Sequence, residues 1–476
     1  MPPAQLLALA GSLLIAVSAS APPVVTSNAT LVHVSYPVGA GPIINSVSIA
    51  RQAGADPTFA ITTYLNPPIA VAAYNTSAGA GPSPPPAPMW TLSPPNGSTF
   101  SPEAIFFVDC ARHQAGGGSG GGRLDTFSLF SMDDGYTGCV VQGSRAGGGG
   151  APAAWTWTAP ACAAFSAQDQ WRYIDASDDG SILAAQLFEE GPGGVRYPTT
   201  HVWDAQTGAL RWSRALDANA GGYGVAVSGD GRWVLQGLDD SVQTVNRSAV
   251  VLAAADGSER GRVSIYWNIP PAISDEGEFV VGGGSSDVMV YAWDAANASY
   301  SLLATPPLPP WEEAGWLPFD LTISTFADAQ GATRHLLGAT WLGYPDESHG
   351  RFNVWDLDAA AAGRAPVLLL DIRLDEDRRQ WDFAYVRADG PYFVVGSAGG
   401  DGNFGAPTHW LFRADAPGGS LWKFSSMGGA TGIDVLLDAG AGSAGGDVLW
   451  VAASGSQSPG GDGNGGDAYL WRFDVE

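Results

Sequence analysis

The sequence predicts an all-β fold, a single β-propeller of four-stranded antiparallel blades, and three observations predict it. Two short phrases alternate along most of the chain, each joining a β-prone run to a turn. They recur about every 40 to 60 residues, the period of a propeller blade. No stretch carries a long apolar 3.6-residue period, and the 64 glycines and 34 prolines leave little room for helices.

Composition supports one large core. Apolar residues make up 45% of the chain, too many for a disordered one, and 18 tryptophans call for a repeated packing environment. The formal net charge is −25, and Lys423 is the sole lysine. Such a surface repels phosphate backbones, which excludes nucleic acid as a partner, and it suits solubility, cationic partners or divalent cations.

The chain opens with a predicted secretory signal over residues 1–21. Leu6 to Val17 is an apolar core followed by the small residues Ser18 to Ala21. No Lys or Arg precedes Arg51, so the usual basic start is missing. The apolar run is short for a membrane span, and no other segment is long enough, so no span remains once the signal is removed. Residues 22–476 then form the propeller domain. Sequons at Asn28, Asn75, Asn96, Asn246 and Asn297 fit an exported glycoprotein. Cys110, Cys139 and Cys162 allow one disulfide and an odd thiol, or three buried thiols, and the spacing does not choose.

The first phrase is a β-prone run, then Ser or Asp, an Asp/Gly-rich turn and a second run. It appears at Tyr173–Gly180, Val225–Gly231 and Ala272–Gly277, with a looser copy at Ala384–Gly390. Such turns between β-rich runs are hairpin signals. The second phrase is an apolar strand, an Asp, small residues with Gly, and often a Trp. Its best copy is His201–Trp212, and its aspartates are Asp204, Asp256, Asp294, Asp356, Asp415 and Asp474. Degenerate copies begin at Val71 and Phe130. Counting copies gives eight blades, with seven as the alternative. The last unit is one strand short, and Thr30–Tyr36 can complete it, closing the ring by pairing the N- and C-terminal strands. The low-complexity stretches 78–88, 116–122 and 147–150 read as surface loops.

The copy at 202–212 resembles the tryptophan-docking repeat of pyrroloquinoline-quinone-type (quinoprotein) propellers. Asp204, Thr207, Gly208 and Trp212 all match that pattern. Asp and Thr can cap the turn, Gly accepts a positive φ, and Trp can lie flat on the neighbouring blade. The Trp–Asp pairs at 203–204, 293–294 and 355–356 also resemble WD-repeat propellers, but no Gly-His dipeptide accompanies them. The quinoprotein resemblance implies a propeller. In its dehydrogenase members it also implies a quinone, a calcium ion and a disulfide between adjacent cysteines. This chain has no adjacent cysteines.

Few residues point to chemistry. Asp462, Asn464 and Asp467 place oxygen ligands at near-alternate positions of a glycine-rich loop, which makes calcium the candidate cofactor. Asp401 and Asn403 form a weaker version. Paired carboxylates for glycoside chemistry are Glu189 with Glu190, Glu312 with Glu313, and Asp375 to Asp377. Gly117–Gly121 matches a nucleophile elbow only in letters, since no strand-to-helix context surrounds it. The six histidines show no metal-ligand spacing, and His201 reads as a packing residue on a strand. The resulting expectation is a secreted monomer, extracellular or periplasmic, acting as a non-catalytic binding or scaffold module for a protein or glycan. The alternative is an extracellular enzyme with its site in the central funnel, a carboxylate-based lyase or glycosidase or a diverged quinoprotein.

Overall fold

The computed structural model describes residues 29–35, 43–52, 55–64, 71–75, 90–92, 106–110, 124–131, 139–146 and 153–159. From 174 to 475 it describes all but 191–195, 216–220, 240–247, 266–268, 285–286, 307–315, 344–349, 362, 375–383, 398–407, 417–418, 425–429, 439–445 and 456–466.

These residues form eight four-stranded antiparallel sheets. Strand β1 (Thr30–Ser35) stands apart at first. The first sheet is β2 (Ile43–Gln52), β3 (Ala55–Tyr64), β4 (Val71–Asn75) and β5 (Trp90–Leu92). The second is β6 (Phe106–Cys110), β7 (Leu124–Ser131), β8 (Cys139–Ala146) and β9 (Ala153–Ala159). The third is β10 (Ile174–Ala176), β11 (Ile182–Glu190), β12 (Arg196–Asp204) and β13 (Leu210–Ala215). The fourth is β14 (Gly221–Val227), β15 (Trp233–Asp239), β16 (Ser248–Ala253) and β17 (Glu259–Ser264). The fifth is β18 (Ala272–Ile273), β19 (Phe279–Gly283), β20 (Val288–Asp294) and β21 (Ser299–Ala304). The sixth is β22 (Trp316–Ala327), β23 (Thr333–Gly343), β24 (Gly350–Asp356) and β25 (Val367–Arg373), with the one-turn helix α1 (Asp358–Ala361) between its last two strands. The seventh is β26 (Ala384–Asp389), β27 (Tyr392–Ser397), β28 (His409–Arg413) and β29 (Trp422–Phe424). The eighth takes β30 (Ala430–Asp438), β31 (Asp447–Gly455) and β32 (Asp467–Val475) from the C-terminus and β1 from the N-terminus. β1 pairs with β32 from Thr30↔Arg472 to Ser35↔Ala468.

The first strand of each sheet touches the first strand of the next, from β2 through β6, β10, β14, β18, β22, β26 and β30 and back to β2. These strands therefore surround the axis, and the fourth strands form the outer rim. The core lies between sheets rather than inside any one. Val47 and Ile49 of the first sheet pack with Leu436, Trp450 and Leu470 of the eighth. Phe352 and Val354 of the sixth pack with Val386, Phe393 and Phe412 of the seventh. The third to eighth sheets bury apolar side chains on both faces, as central propeller strands must to cover two neighbours.

The serines of the first phrase are hairpin clamps. Ser177 Oγ accepts the Ile182 N–H at 3.0 Å, Ser228 Oγ accepts that of Trp233, and Ser274 Oγ accepts that of Phe279. The second phrase needs a correction of phase. Strand pairing puts Asp204, Asp356 and Asp474 opposite Ile182, Leu336 and Val448. The equivalent positions in the fourth, fifth and seventh sheets hold Ala253, Ala292 and Arg413. Asp256 and Asp415 lie two or three residues further on, in the turn, and Asp294 lies two residues further on, at the end of β20. An Asp can cap such a turn from several positions, so spacing counted on Asp alone drifts.

Candidate functional site

Trp212 shows how a sequence phrase becomes an inter-sheet contact. In the turn after β12, Asp204 Oδ1 accepts the Thr207 N–H at 3.0 Å and the Thr207 hydroxyl at 2.8 Å. Gly208 follows with φ 73° and lies under the Trp155 ring of the second sheet, where an added Cβ would stand 2.4 Å from ring atoms. Trp155 Nε1 donates to the Ala205 carbonyl at 3.0 Å. The next sheet repeats this: Trp212 lies over Gly257 and donates to the Ala254 carbonyl at 3.0 Å. Burial opposes ionisation of Asp204, but the Thr207 and Arg211 hydrogen bonds outweigh it and hold the carboxyl below its ordinary range.

The series breaks at the fourth sheet, where Gly261 stands in the tryptophan position. An added Cβ there would meet the Tyr300 ring of the fifth sheet at 2.9 Å. The neighbouring Arg260 fills the gap. Its guanidinium lies 4.0 Å from the Trp233 ring centroid and 4.1 Å from that of Trp293, and it donates to the Gly277 carbonyl at 2.8 Å. Tyr300 donates to the same carbonyl at 2.6 Å, and burial pushes its phenol up to about 12.

The most highly charged arrangement lies one junction further on. His335, at the start of β23, is buried against Phe279 with ring centroids 4.8 Å apart. Its Nε2 meets Glu276 in the β18–β19 turn of the fifth sheet. Its Nδ1 meets Asp358 Oδ1, at the start of α1, at 2.7 Å. Asp358 Oδ2 accepts the His335 backbone N–H and the Arg334 Nε–H, both at 3.1 Å. Arg334 also reaches Asp356 at 2.5 Å. Burial alone would push the imidazolium down. The hydrogen bonds and charges of Glu276 and Asp358 outweigh it and raise the pKa to about 9. The same pairing holds Glu276 below its ordinary value against burial. With both ring nitrogens donating, His335 has no lone pair to act as a base near neutrality. The cluster is a charged clamp between the fifth and sixth sheets.

Around the axis, carboxylates again fasten one sheet to the next. Asp175 accepts the Val227 N–H at 2.6 Å, and Asp389 accepts that of Leu437 at 2.8 Å. Asp320 accepts the Val386 N–H at 3.0 Å and Arg387 at 2.9 Å. Asp434 accepts the Ile49 N–H at 2.8 Å and the Ser48 hydroxyl at 3.2 Å, which ties the last sheet to the first.

Sequence similarity gives no name to this arrangement: no protein family and no curated protein matches the chain. Fold similarity is extensive. The Dos1 propeller superposes with a TM-score of 0.54 over 93% of this chain and 95% of its own, at 11% identity. A europium-containing methanol dehydrogenase gives 0.51 over 94% and 93%, at 11% identity. The quinohemoprotein alcohol dehydrogenase ADHIIG of Pseudomonas putida HK5 gives 0.51 over 93% of this chain and 76% of its own, at 11% identity. The chain has a β-propeller fold.

In this ring the described donors do not fit a quinone-and-metal centre. The four axial carboxylates above each accept a neighbouring backbone N–H, and among the described residues no three His, Cys, Asp or Glu side chains gather to hold a metal. Of the calcium candidates, Asp462 and Asn464 lie outside the described residues. Asp467 opens β32 opposite Gly455, and its side chain lies outside the description. Asp401, Asn403, Glu312, Glu313 and Asp375 to Asp377 also lie outside it, as do the side chains of Glu189 and Glu190 on β11. Cys110 ends β6 and Cys139 opens β8, while Cys162 is outside. His201 packs as expected: it is buried, stacks on Trp203 at 5.6 Å and shares a 2.7 Å hydrogen bond with Ser213. The sequence reading missed His335, Glu276 and Asp358 as a group. Their one local sign is Glu276 in the Asp-Glu-Gly turn of the first phrase.

Proposed function

We propose that this protein is an exported, non-catalytic propeller that binds a protein or glycan on the faces of its ring. One observation carries the reading: among the described residues, the axial carboxylates and the Glu276–His335 pair join neighbouring sheets. Asp175, Asp320, Asp389 and Asp434 hold backbone amides, and Glu276, His335 and Asp358 hold each other. Groups spent in this way stiffen a scaffold, and a rigid scaffold presents loops for recognition. With 47 acidic against 22 basic residues, the surface suits a partner with a basic face. Export rests on the leader-like residues 1–21, and N-terminal sequencing of secreted protein tests the cut after residue 19 or 21. Calcium at Asp462, Asn464 and Asp467 rests on the sequence pattern, and a melt with calcium against chelator tests it, because a ligand of the folded state raises the midpoint.

The deciding experiment immobilises the mature protein and presents a glycan array and a panel of basic proteins at low and high salt. The reading expects saturable binding with unchanged ligand. Conversion of a polysaccharide, or quinone-dependent reduction of a dye, overturns it in favour of an enzyme.

A further inference from the structure

We propose that Asn297 is an N-glycosylation site whose glycan covers the unpaired outer edge of the fifth sheet. The inference rests on the export proposed above. Asn297-Ala298-Ser299 is the sequon whose side chains the structure describes, and all three residues are exposed in the hairpin between β20 and β21. Ala298 adopts φ 48°, the only positive φ of a non-glycine among the described residues, and this left-handed step turns the chain sharply at the sequon. Asn297 Nδ2 donates to Asp294 Oδ2 at 2.6 Å, while the Asp294 Oδ1 atom accepts the Ala296 and Asn297 backbone N–H groups.

In the transfer, Nδ2 bonds to the anomeric carbon of a lipid-diphosphate-linked oligosaccharide. The bond from that carbon to the diphosphate oxygen breaks, the lipid diphosphate departs, and the amide gives up one of its two protons. The remaining N–H still donates to Asp294, so the turn keeps its cap after modification.

The sugar also has something to cover. β21 is the fourth strand of its sheet, and among the described residues no strand pairs with its outer side. Leu302, on that strand and in the same hairpin, is 55% exposed, the most exposed large apolar side chain among the described residues. An apolar edge strand is a template for intermolecular pairing, and native proteins cover such edges. A hydrated glycan five residues away in sequence, on the same rim, is such a cover.

The test expresses the full chain in a eukaryotic secretory host with its own leader and, in parallel, with a strong foreign leader. Enzymatic deglycosylation in heavy-oxygen water followed by peptide mass mapping marks each occupied asparagine. The expected result is labelled Asn297, lost in Ser299→Ala, kept in Ser299→Thr, and heat-induced aggregation several-fold faster in Ser299→Ala. Leu302→Thr should return that aggregation to the wild-type rate. Unlabelled Asn297 in secreted protein, with either leader, overturns the proposal. So does unchanged aggregation on losing the sugar, which removes the edge-cover role. If the native leader fails to export the chain while the foreign leader yields labelled Asn297, the export reading falls and the acceptor site stands.

Discussion

The junction between the third and fourth sheets and the one between the fifth and sixth meet the same need by different means. Each must fill the wedge that opens between two twisted sheets as they diverge from the axis. At the first, one ring does it: Trp212 lies on Gly257 and bonds to the Ala254 carbonyl. At the second, charges from separate segments do it: Glu276 from one turn, His335 from a strand and Asp358 from a helix start. The first solution is written in a local phrase, although its partners lie 42 residues apart, and it carries no titrating group. The second is written in no local phrase and depends on protonation. Between them, Arg260 under Trp233 and Trp293 is a hybrid, a cation doing the work of a docked ring.

The largest test strikes the charged side of this comparison. Arg351 on β24 is fully buried and holds Asp371 through Nε at 2.7 Å and Nη2 at 2.9 Å. Asn353 shares the same carboxylate at 2.8 Å. Asp371→Ala takes from a buried guanidinium the carboxylate that it holds through two nitrogens and should cost about 3–5 kcal/mol in chemical denaturation. A cost near the surface-pair value of about 0–1 kcal/mol would show that charge is not what holds the sixth sheet.

The second test strikes the docked side. Gly208→Ala adds a Cβ into the Trp155 ring at a φ of 73°, and the clash together with the left-handed strain should cost about 3 kcal/mol. Trp155→Phe at the same junction removes the bond to the Ala205 carbonyl and part of the ring, a smaller loss of about 1–2 kcal/mol. If Gly208→Ala is neutral, the ring does not sit on the glycine.

What could be read from the sequence follows the same division. Asp204, Thr207, Gly208 and Trp212 lie within nine residues, so local chemistry writes the docking pattern into the chain. The Ser177, Ser228 and Ser274 clamps are local too, and alternating phrases of this kind foretold four-stranded sheets and the partnership of Thr30–Ser35 with the last strand. The His335 cluster could not be read this way. Glu276 and His335 are 59 residues apart, and only the angle between two sheets brings them together. Gly261 could not be read locally either: the repeat loses its Trp there, and the slot is filled by Arg260 and by Tyr300 from the next sheet. Counting aspartates slipped wherever the turn moved its cap.

The third test uses pH to separate the two junctions. His335 has a folded-state pKa raised to about 9 from 6.5. A raised pKa means that the folded state binds the proton more tightly, so the clamp contributes fully below pH 6.5 and is lost as pH rises through about 9. The size is on the order of 2–3 kcal/mol. Glu276 runs the other way: its carboxyl is held below 4.5, so its share is present above that value and fades on acidification. Denaturation of the wild type between pH 6 and 9, below the range where the raised tyrosines contribute, should therefore show falling stability that His335→Gln removes, whereas Trp212→Phe keeps the slope. A wild-type curve that stays flat through pH 9 would mean that the imidazole is not held as a cation.

The smallest test asks whether Arg260 acts as a ring or as a charge. A guanidinium between Trp233 and Trp293 can stack on both faces while donating to the Gly277 carbonyl, because it is flat and weakly hydrated. An ammonium keeps the charge and one donor but cannot lie flat between two rings. Arg260→Lys should therefore cost about 1 kcal/mol, the size of a partly exposed cation–π contact. Arg260→Leu separates the remaining terms, since it fills the slot with apolar volume and leaves the Gly277 carbonyl to Tyr300, which already donates to it. If Leu is tolerated better than Lys, the slot needs volume, and the junction is a tryptophan dock by other means. If Lys is tolerated better than Leu, the slot needs charge, and Arg260 belongs with His335 on the electrostatic side of the ring.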